Sequence, residues 1–231
     1  MRIGILAHSF SAAFSIYKAV EDVPGQQLFI ILSPSPHRSR WTSYLANLAR
    51  LVFTSVKRFN FKPLQLLVTR RLIFLGRAFH DQRSVDTLKQ LKLDVGLHKA
   101  GVIYRDVTID AFRLGILNHH IGILPAYRGR SVLEWSILQS DPVGVTVFFI
   151  DSGIDTGSQI LLSERVDISR YRSIAEAKRY LFELDQVFLR KALVLLSEGK
   201  PSFRQNDGTG RRYFVMSKLF ESVVERLVQG S

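Results

Sequence analysis

The chain has 231 residues, no cysteine, 46% hydrophobic residues and 32 basic against 20 acidic side chains, a formal charge of +12. Without cysteine it forms no disulfide, no iron–sulfur cluster and no thiolate zinc site, and 15 glycines and 7 prolines in so apolar a chain exclude collagen-like and disordered polymers. The length suits one domain, or one domain with a small appendage, and no stretch reaches the about 18–20 uncharged apolar residues of a membrane span.

Residues 2–7 read as a short apolar strand. Ser9 or Ser11 can cap a helix in which Phe14, Tyr17, Ala19 and Val20 keep roughly helical spacing. Residues 28–32 are a continuous apolar run between Gly25 and Pro34, as expected of a buried strand. This β-α-β opening predicts a parallel sheet. The stretch 37–83 then carries ten basic residues (Arg38, Arg40, Arg50, Lys57, Arg58, Lys62, Arg70, Arg71, Arg77 and Arg83) and a single acid, Asp81. Such a block can meet a polyanion, a diphosphate or an anionic membrane surface, or form a solvated face. Within it Trp41, Leu45, Leu48, Leu51, Val52 and Val56 recur near the helical period. Pro63 breaks the pattern, and residues 64–74 resume it around Arg70 and Arg71. Two basic amphipathic helices are predicted.

Residues 84–91 read as a helix, 95–97 as a strand, 101–103 as a turn or strand, 109–113 as a short helix and 115–118 as a strand. A loop follows at 119–130. Ser131 and Glu134 are spaced as a capping box for the next helix. Strands at 145–150 and 160–162 flank a polar turn at 151–157. Ser173 and Glu176 form a second capping box, for a helix to about residue 197 that Gly199 and Pro201 stop. Met216, Leu219, Phe220, Val223, Leu227 and Val228 give the tail helical spacing. The expected organisation is a main domain over 1–205, with a basic helical insertion at about 37–83, and a short extension over 206–231 too small to be a second domain.

The residues suited to chemistry lie between 115 and 160. Alternation along a strand puts Asn118 and His120 on one face and His119 on the other. An Asn amide can donate to a developing oxyanion, and a histidine can move a proton at neutral pH. Asp151 and Asp155 sit in a glycine-flanked turn at a strand's carboxyl end, where open α/β sheets place their sites. Taken alone, the same residues also suit local hydrogen bonding and a surface turn. The adjacent histidines diverge, and the Asp spacing fits no EF-hand loop, so no metal is expected.

The string from Asn118 through His119, His120, Ile121, Gly122, Ile123, Leu124, Pro125, Ala126, Tyr127 and Arg128 to Gly129 resembles the signature of folate-dependent formyltransferases. The family's pattern is Asn-x-His, then Ser-Leu-Leu-Pro-x-Tyr/Trp-Arg-Gly. Here Gly122 stands for the usual Ser and Ile123 for a Leu. Gly144-Val145-Thr146 and Ile154-Asp155-Thr156-Gly157 resemble the family's following strand and loop. Lys92 and Asp94 with Ala100 to Arg105, and Gln205 to Tyr213, match less closely. The resemblance covers roughly residues 91–213. It implies a Rossmann-like α/β fold with a mostly parallel twisted sheet and helices on both faces. It also implies N-formyl transfer from 10-formyltetrahydrofolate to a primary amine without a metal. By position, Asn118 is expected to polarise the formyl oxygen, His120 to transfer the proton and Asp155 to orient His120. Ile103, Tyr104 and Arg105 are expected to line the pterin pocket, partly through backbone groups, with Ile150, Asp151 and Gly157 closing it. His119 is expected to be structural.

The acceptor is less determined. The glycinamide ribonucleotide enzymes carry a glycine-rich turn after the first strand, where this chain has His8-Ser9-Phe10-Ser11, and they lack the Arg128-Gly129 pair. Methionyl-tRNA formyltransferase adds a C-terminal barrel for which this chain is too short. The run from Tyr127 to Trp135 is most similar to enzymes that formylate nucleotide-linked amino sugars, and a diphosphate suits the basic surface. The alternatives are a methionyl-tRNA formyltransferase-like enzyme, or a non-catalytic relative that binds nucleic acid or an anionic surface through residues 37–83. The expected location is cytoplasmic.

Overall fold

The computed structural model describes residues 1–35, 39–57, 62–199 and 201–230, with backbone alone at 56 and 57. His37, Arg38 and Arg58 of the basic stretch lie outside the described residues, as do the side chains of Val56 and Lys57. The chain divides into two compact units, Met1–Leu117 and Asn118–Ser231.

The first unit runs β1 (Arg2–Ala7), α1 (Phe10–Val20), β2 (Gln27–Leu32), α2 (Arg40–Lys57), α3 (Lys62–Val68), β3 (Leu72–Phe74), α4 (Gln82–Gln90), β4 (Leu93–His98), α5 (Asp106–Ile109) and the start of β5 (Phe112–His120). Its strands lie in the order β3-β2-β1-β4-β5, all parallel. The apolar runs of β1 and β2 are buried from their second residue onward, as a parallel sheet covered by helices requires. Two expectations change here. The apolar pattern after Arg71 is a strand and not helix, because Leu72, Ile73 and Phe74 complete the sheet edge against Ile30, Ile31 and Leu32. The helix near 109 ends at Ile109, and Phe112 already pairs with Leu93.

Asp94 ties the amino ends of this sheet together. Its carboxylate accepts from the backbone N–H of Arg2 at 2.8 Å and from Nε of Arg113 at 2.5 Å. Partial burial pushes this carboxyl up, but the Arg113 hydrogen bond, the Arg2 N–H and the Arg113 charge outweigh it and hold its pKa below the ordinary value. A depressed folded-state pKa stabilises the fold above the unfolded-state value and loses that contribution as pH falls through the folded one. Melting temperatures of the wild type and Asp94→Asn should therefore differ at neutral pH and converge as pH drops below about 4. A constant difference down to acid pH would remove this role from Asp94.

The second unit begins with the end of β5. It continues through β6 (Tyr127–Gly129), α6 (Val132–Leu138), β7 (Gly144–Phe149), β8 (Gln159–Arg165), α7 (Ile174–Ser197), β9 (Arg204–Gln205), β10 (Arg211–Tyr213) and α8 (Lys218–Gly230). Strands β7, β8 and β9 pair antiparallel, and β6 pairs with β10 in a separate parallel ribbon. The expected loop at 119–130 thus contains a strand, which forms because Arg211–Tyr213 returns to it. Ser173 caps α7 as expected, its Oγ accepting from the Glu176 N–H at 3.2 Å. Ser131 does not cap α6. It sits in the left-handed region (φ 52°), its Oγ accepts from the N–H of Met216, and Glu134 instead pairs with Lys178. Met216, Val224 and Val228 bury against Trp135, Ile137 and Leu138, so the segment after residue 206 packs on α6. The chain is α/β with a mostly parallel open sheet and helices, and among the described residues no helix is long and apolar enough to cross a membrane.

Candidate active site

The carboxyl end of β5 carries Asn118, His119 and His120 on alternating faces. His119 points to α7, where its Nδ1 lies 3.9 Å from Asp185 Oδ1 and its ring lies against Phe188. Both members of this pair are buried, which fits the structural role expected of His119. Asn118 and His120 share the opposite face. Asn118 is half-buried and His120 is buried.

Two contacts fix the His120 ring. Nε2 lies 2.7 Å from the Tyr127 carbonyl oxygen. A carbonyl can only accept, so Nε2 carries the hydrogen there. Nδ1 lies 3.6 Å from Asp155 Oδ2. The Tyr127 carbonyl is itself immobilised. The Tyr127 ring stacks on Tyr213 at 5.1 Å, and its hydroxyl donates to Asp141 at 2.5 Å, with Gln139 Oε1 3.2 Å from the same oxygen. Burial first, and then the Asp141 carboxylate, push that hydroxyl's pKa well up, so it stays a donor at neutral pH.

The ring fits because residue 122 is glycine. A Cβ on Gly122 would lie 2.7 Å from His120 Nε2 and 2.9 Å from the Tyr127 oxygen. The turn that carries Gly122 is clamped by the fully buried Thr146, whose hydroxyl donates to the Gly122 oxygen at 2.7 Å and accepts from the Leu124 N–H at 3.1 Å. Arg204 closes the same turn through the Leu124 carbonyl at 2.7 Å.

Asp155 comes from the turn after β7. It has a positive φ of 52°, which aspartate tolerates better than most residues. Its Oδ2 accepts from the Gly129 N–H at 2.9 Å, so one backbone donor aims the carboxylate at His120. The turn is held from inside by Asp151, whose Oδ1 accepts from the Gly153 N–H at 2.9 Å and the Thr156 hydroxyl at 2.7 Å. It is held from outside by Asn206, whose Nδ2 reaches the carbonyls of Asp155 at 3.3 Å and Gly157 at 3.0 Å. Asp151 is therefore a turn-closing residue. Ile150 packs partly buried against Leu124, Phe148 and Ile160. Gly157 has no room for a side chain, because a Cβ would lie 1.7 Å from the Phe149 carbonyl oxygen. Gly157→Ala should destabilise the fold by about 3 kcal/mol, read as a lowered denaturant midpoint. An unchanged midpoint would show that the turn can move away.

In the first unit, residues 101–105 follow β4 without regular structure. Ile103 is 59% exposed, an apolar side chain with no cover within its unit. Tyr104 is fully buried, with its ring against Phe79 and its hydroxyl 3.3 Å from His98 Nδ1. Burial holds its hydroxyl neutral. Its side chain belongs to the core, so only its backbone is available to a ligand. Arg105 is exposed, and its carbonyl accepts from the N–H groups of Thr108 and Ile109 at the start of α5.

Of the expected site residues, the structure brings His120 and Asp155 together, with Asn118 on the same strand face. Ile103, Tyr104 and Arg105 belong to the first unit. Asn206, which holds the Asp155 turn, was not among the expected site residues; it lies in the segment 205–213, whose match to the family pattern is less close. Among the described residues no group of three or more His, Asp or Glu side chains is placed to hold a metal.

A model of the formyl transferase family matches residues 52–193. Among curated proteins, the methionyl-tRNA formyltransferase of Clostridioides difficile (strain 630) is 31% identical over 121 residues, 52% of this chain and 39% of that protein. The methionyl-tRNA formyltransferase of Chloroflexus aggregans is 34% identical over 132 residues, 56% of this chain and 42% of that protein. The alignments thus span about two fifths of those relatives' length. Among solved structures, a sugar N-formyltransferase from a Shewanella species superposes with a TM-score of 0.63 at 16% identity, covering 99% of this chain and 87% of that one. A formyltransferase from Anoxybacillus kamchatkensis, in complex with UDP-4,6-dideoxy-4-formamido-L-AltNAc and tetrahydrofolate, gives 0.53 at 17% identity, covering 99% and 98%. At these identities the structural likeness is one of fold, and that fold is the Rossmann-like α/β fold of formyltransferases.

Proposed function

Because the chain belongs to the formyl transferase family, we propose that it moves a formyl group from 10-formyltetrahydrofolate to a primary amine. The observation that carries this reading is the His120 ring, anchored at Nε2 by the Tyr127 carbonyl while Nδ1 faces Asp155 at 3.6 Å. In the transfer, the amine nitrogen bonds to the formyl carbon and the bond from that carbon to N10 breaks. One proton leaves the amine and one reaches N10. Asn118 donates its amide N–H to the formyl oxygen as charge develops there. His120 Nδ1 takes the amine's proton and returns it to the leaving nitrogen, so the ring ends as it began. Asp155 lies beside the same Nδ1, and its charge stabilises the imidazolium that exists between those two steps. In the first unit, the Ile103 side chain and the backbone of Tyr104 and Arg105 offer a surface suited to the pterin. In the second, Ile150 offers an apolar side chain beside the Asp155 turn.

For the acceptor, the proposal is a nucleotide-linked amino sugar. The run from Tyr127 to Trp135 supports it, as does a basic surface suited to a diphosphate. The test is to incubate the purified chain with 10-formyltetrahydrofolate and a panel of amines: dTDP- and UDP-amino sugars, glycinamide ribonucleotide and methionyl-tRNA. Tetrahydrofolate release and the mass of each acceptor are followed. A formyl mass gain on an amino sugar is expected. A gain on methionyl-tRNA alone would reassign the acceptor, and no gain on any amine would overturn the transfer reading.

A further inference from the structure

Helix α2 is packed with its stripes exchanged. The stripe turned into the protein is Ser43, Asn47, Leu51 and Ser55, spaced every four residues, and only one of the four is apolar. Hydrogen bonds hold it there. The Phe10 N–H donates to Asn47 Oδ1 at 2.7 Å, Asn47 Nδ2 donates to the His8 carbonyl at 3.1 Å, and the Ser35 N–H donates to Ser43 Oγ at 3.3 Å. The apolar stripe faces solvent within this unit. Trp41, Leu45 and Val52, at positions i, i+4 and i+11, are 67%, 60% and 49% exposed, and Phe53 is 62% exposed. Helix α3 adds Val68 at 81%. A helix that served only to cover its own sheet would turn such a stripe inward. Scattered single apolar residues need no explanation, but a stripe of this kind marks a contact surface.

The charge around it selects the contact. Between Asp22 and Asp81 the sequence has no acidic residue, while α2 and the residues after α3 carry Arg40, Arg50, Arg70 and Arg71; Lys62 and Arg77 pair with Glu21 and Asp81. A second copy of this chain would bring like charges face to face. A nucleic acid would satisfy the arginines and could stack on Trp41, but it offers nothing to Leu45, Val52 or Val68. An anionic bilayer satisfies both sets, with aliphatic and Trp side chains at the acyl boundary and arginines among the headgroups. No helix among the described residues can span a membrane, so the fit is to its surface. We infer that α2 and α3 seat this chain on an anionic lipid bilayer, with Trp41, Leu45 and Val52 inserted at the interface. The inference is independent of the transfer chemistry.

The test is flotation of the full chain with vesicles of phosphatidylcholine alone, or of phosphatidylcholine with phosphatidylglycerol. The chain should float with the anionic vesicles and much less with the neutral ones. Combined Trp41→Ser, Leu45→Ser and Val52→Ser should weaken flotation about tenfold or more. Its melting temperature should stay near the wild-type value, because the replaced side chains are exposed. Arg40→Gln with Arg50→Gln should weaken flotation on anionic vesicles only. No flotation with anionic vesicles would overturn the inference, as would flotation indifferent to the three serines. So would a dimer in sedimentation that the serines abolish, or RNA binding that outcompetes the vesicles and ignores the serines.

Discussion

Gly122→Ser is expected to lower formyl transfer by about two to three orders of magnitude while 10-formyltetrahydrofolate still binds. A Cβ at this position would meet His120 Nε2 at 2.7 Å and the Tyr127 oxygen at 2.9 Å, both inside van der Waals contact. The carbonyl cannot yield, because the Tyr127 ring is held by Tyr213, Gln139 and Asp141. The His120 ring must swing away, losing its Nε2 anchor and the aim of Nδ1 at Asp155. The formyltransferase pattern that this segment resembles usually has serine here. The substitution would therefore be conservative by family pattern and damaging by the packing of this chain. Steady-state rates with an accepted amine, beside calorimetric folate binding, separate the two views. A Gly122→Ser variant with the wild-type rate would show that the ring can work from another position.

Asp155→Asn should cost about two to four orders of magnitude in turnover without unfolding the chain. The amide oxygen can still accept from the Gly129 N–H, so the turn keeps its anchor. The negative charge opposite His120 Nδ1 is lost, and with it the stabiliser of the imidazolium in the proposed transfer. Asp151→Asn is the control. Asp151 closes the same turn through Gly153 and Thr156 without being paired to the histidine, and an amide oxygen can replace its acceptor role. A small effect on rate is expected there. If Asp151→Asn and Asp155→Asn lowered the rate equally, the shape of the turn would matter and the charge would not.

The β-α-β opening was legible because β1 and β2 are buried apolar runs between turn residues, a pattern set by local composition. Alternation along β5 was legible for the same reason, and it separated His119 from His120 correctly. What local pattern could not show depends on distant partners. Leu72–Phe74 is a strand because β2 lies beside it, and Tyr127–Gly129 is a strand because Arg211–Tyr213 returns to it. Ser131 has the spacing of a cap, yet Met216 takes its hydroxyl and Lys178 takes Glu134. The periodicity of α2 was real, but period alone does not say which stripe is buried. Asn47 decided that through His8 and Phe10, some forty residues away in sequence.

The pairing of Asn118, His120 and Asp155 in one formyl-transfer centre is best tested by single-turnover release of tetrahydrofolate from 10-formyltetrahydrofolate, with and without an accepted amine. The wild type should release tetrahydrofolate in an amine-dependent way. His120→Asn and Asn118→Ala should bind the folate and release it at least about a hundredfold more slowly. Amine-dependent release at the wild-type rate in both variants would place the chemistry elsewhere in the chain.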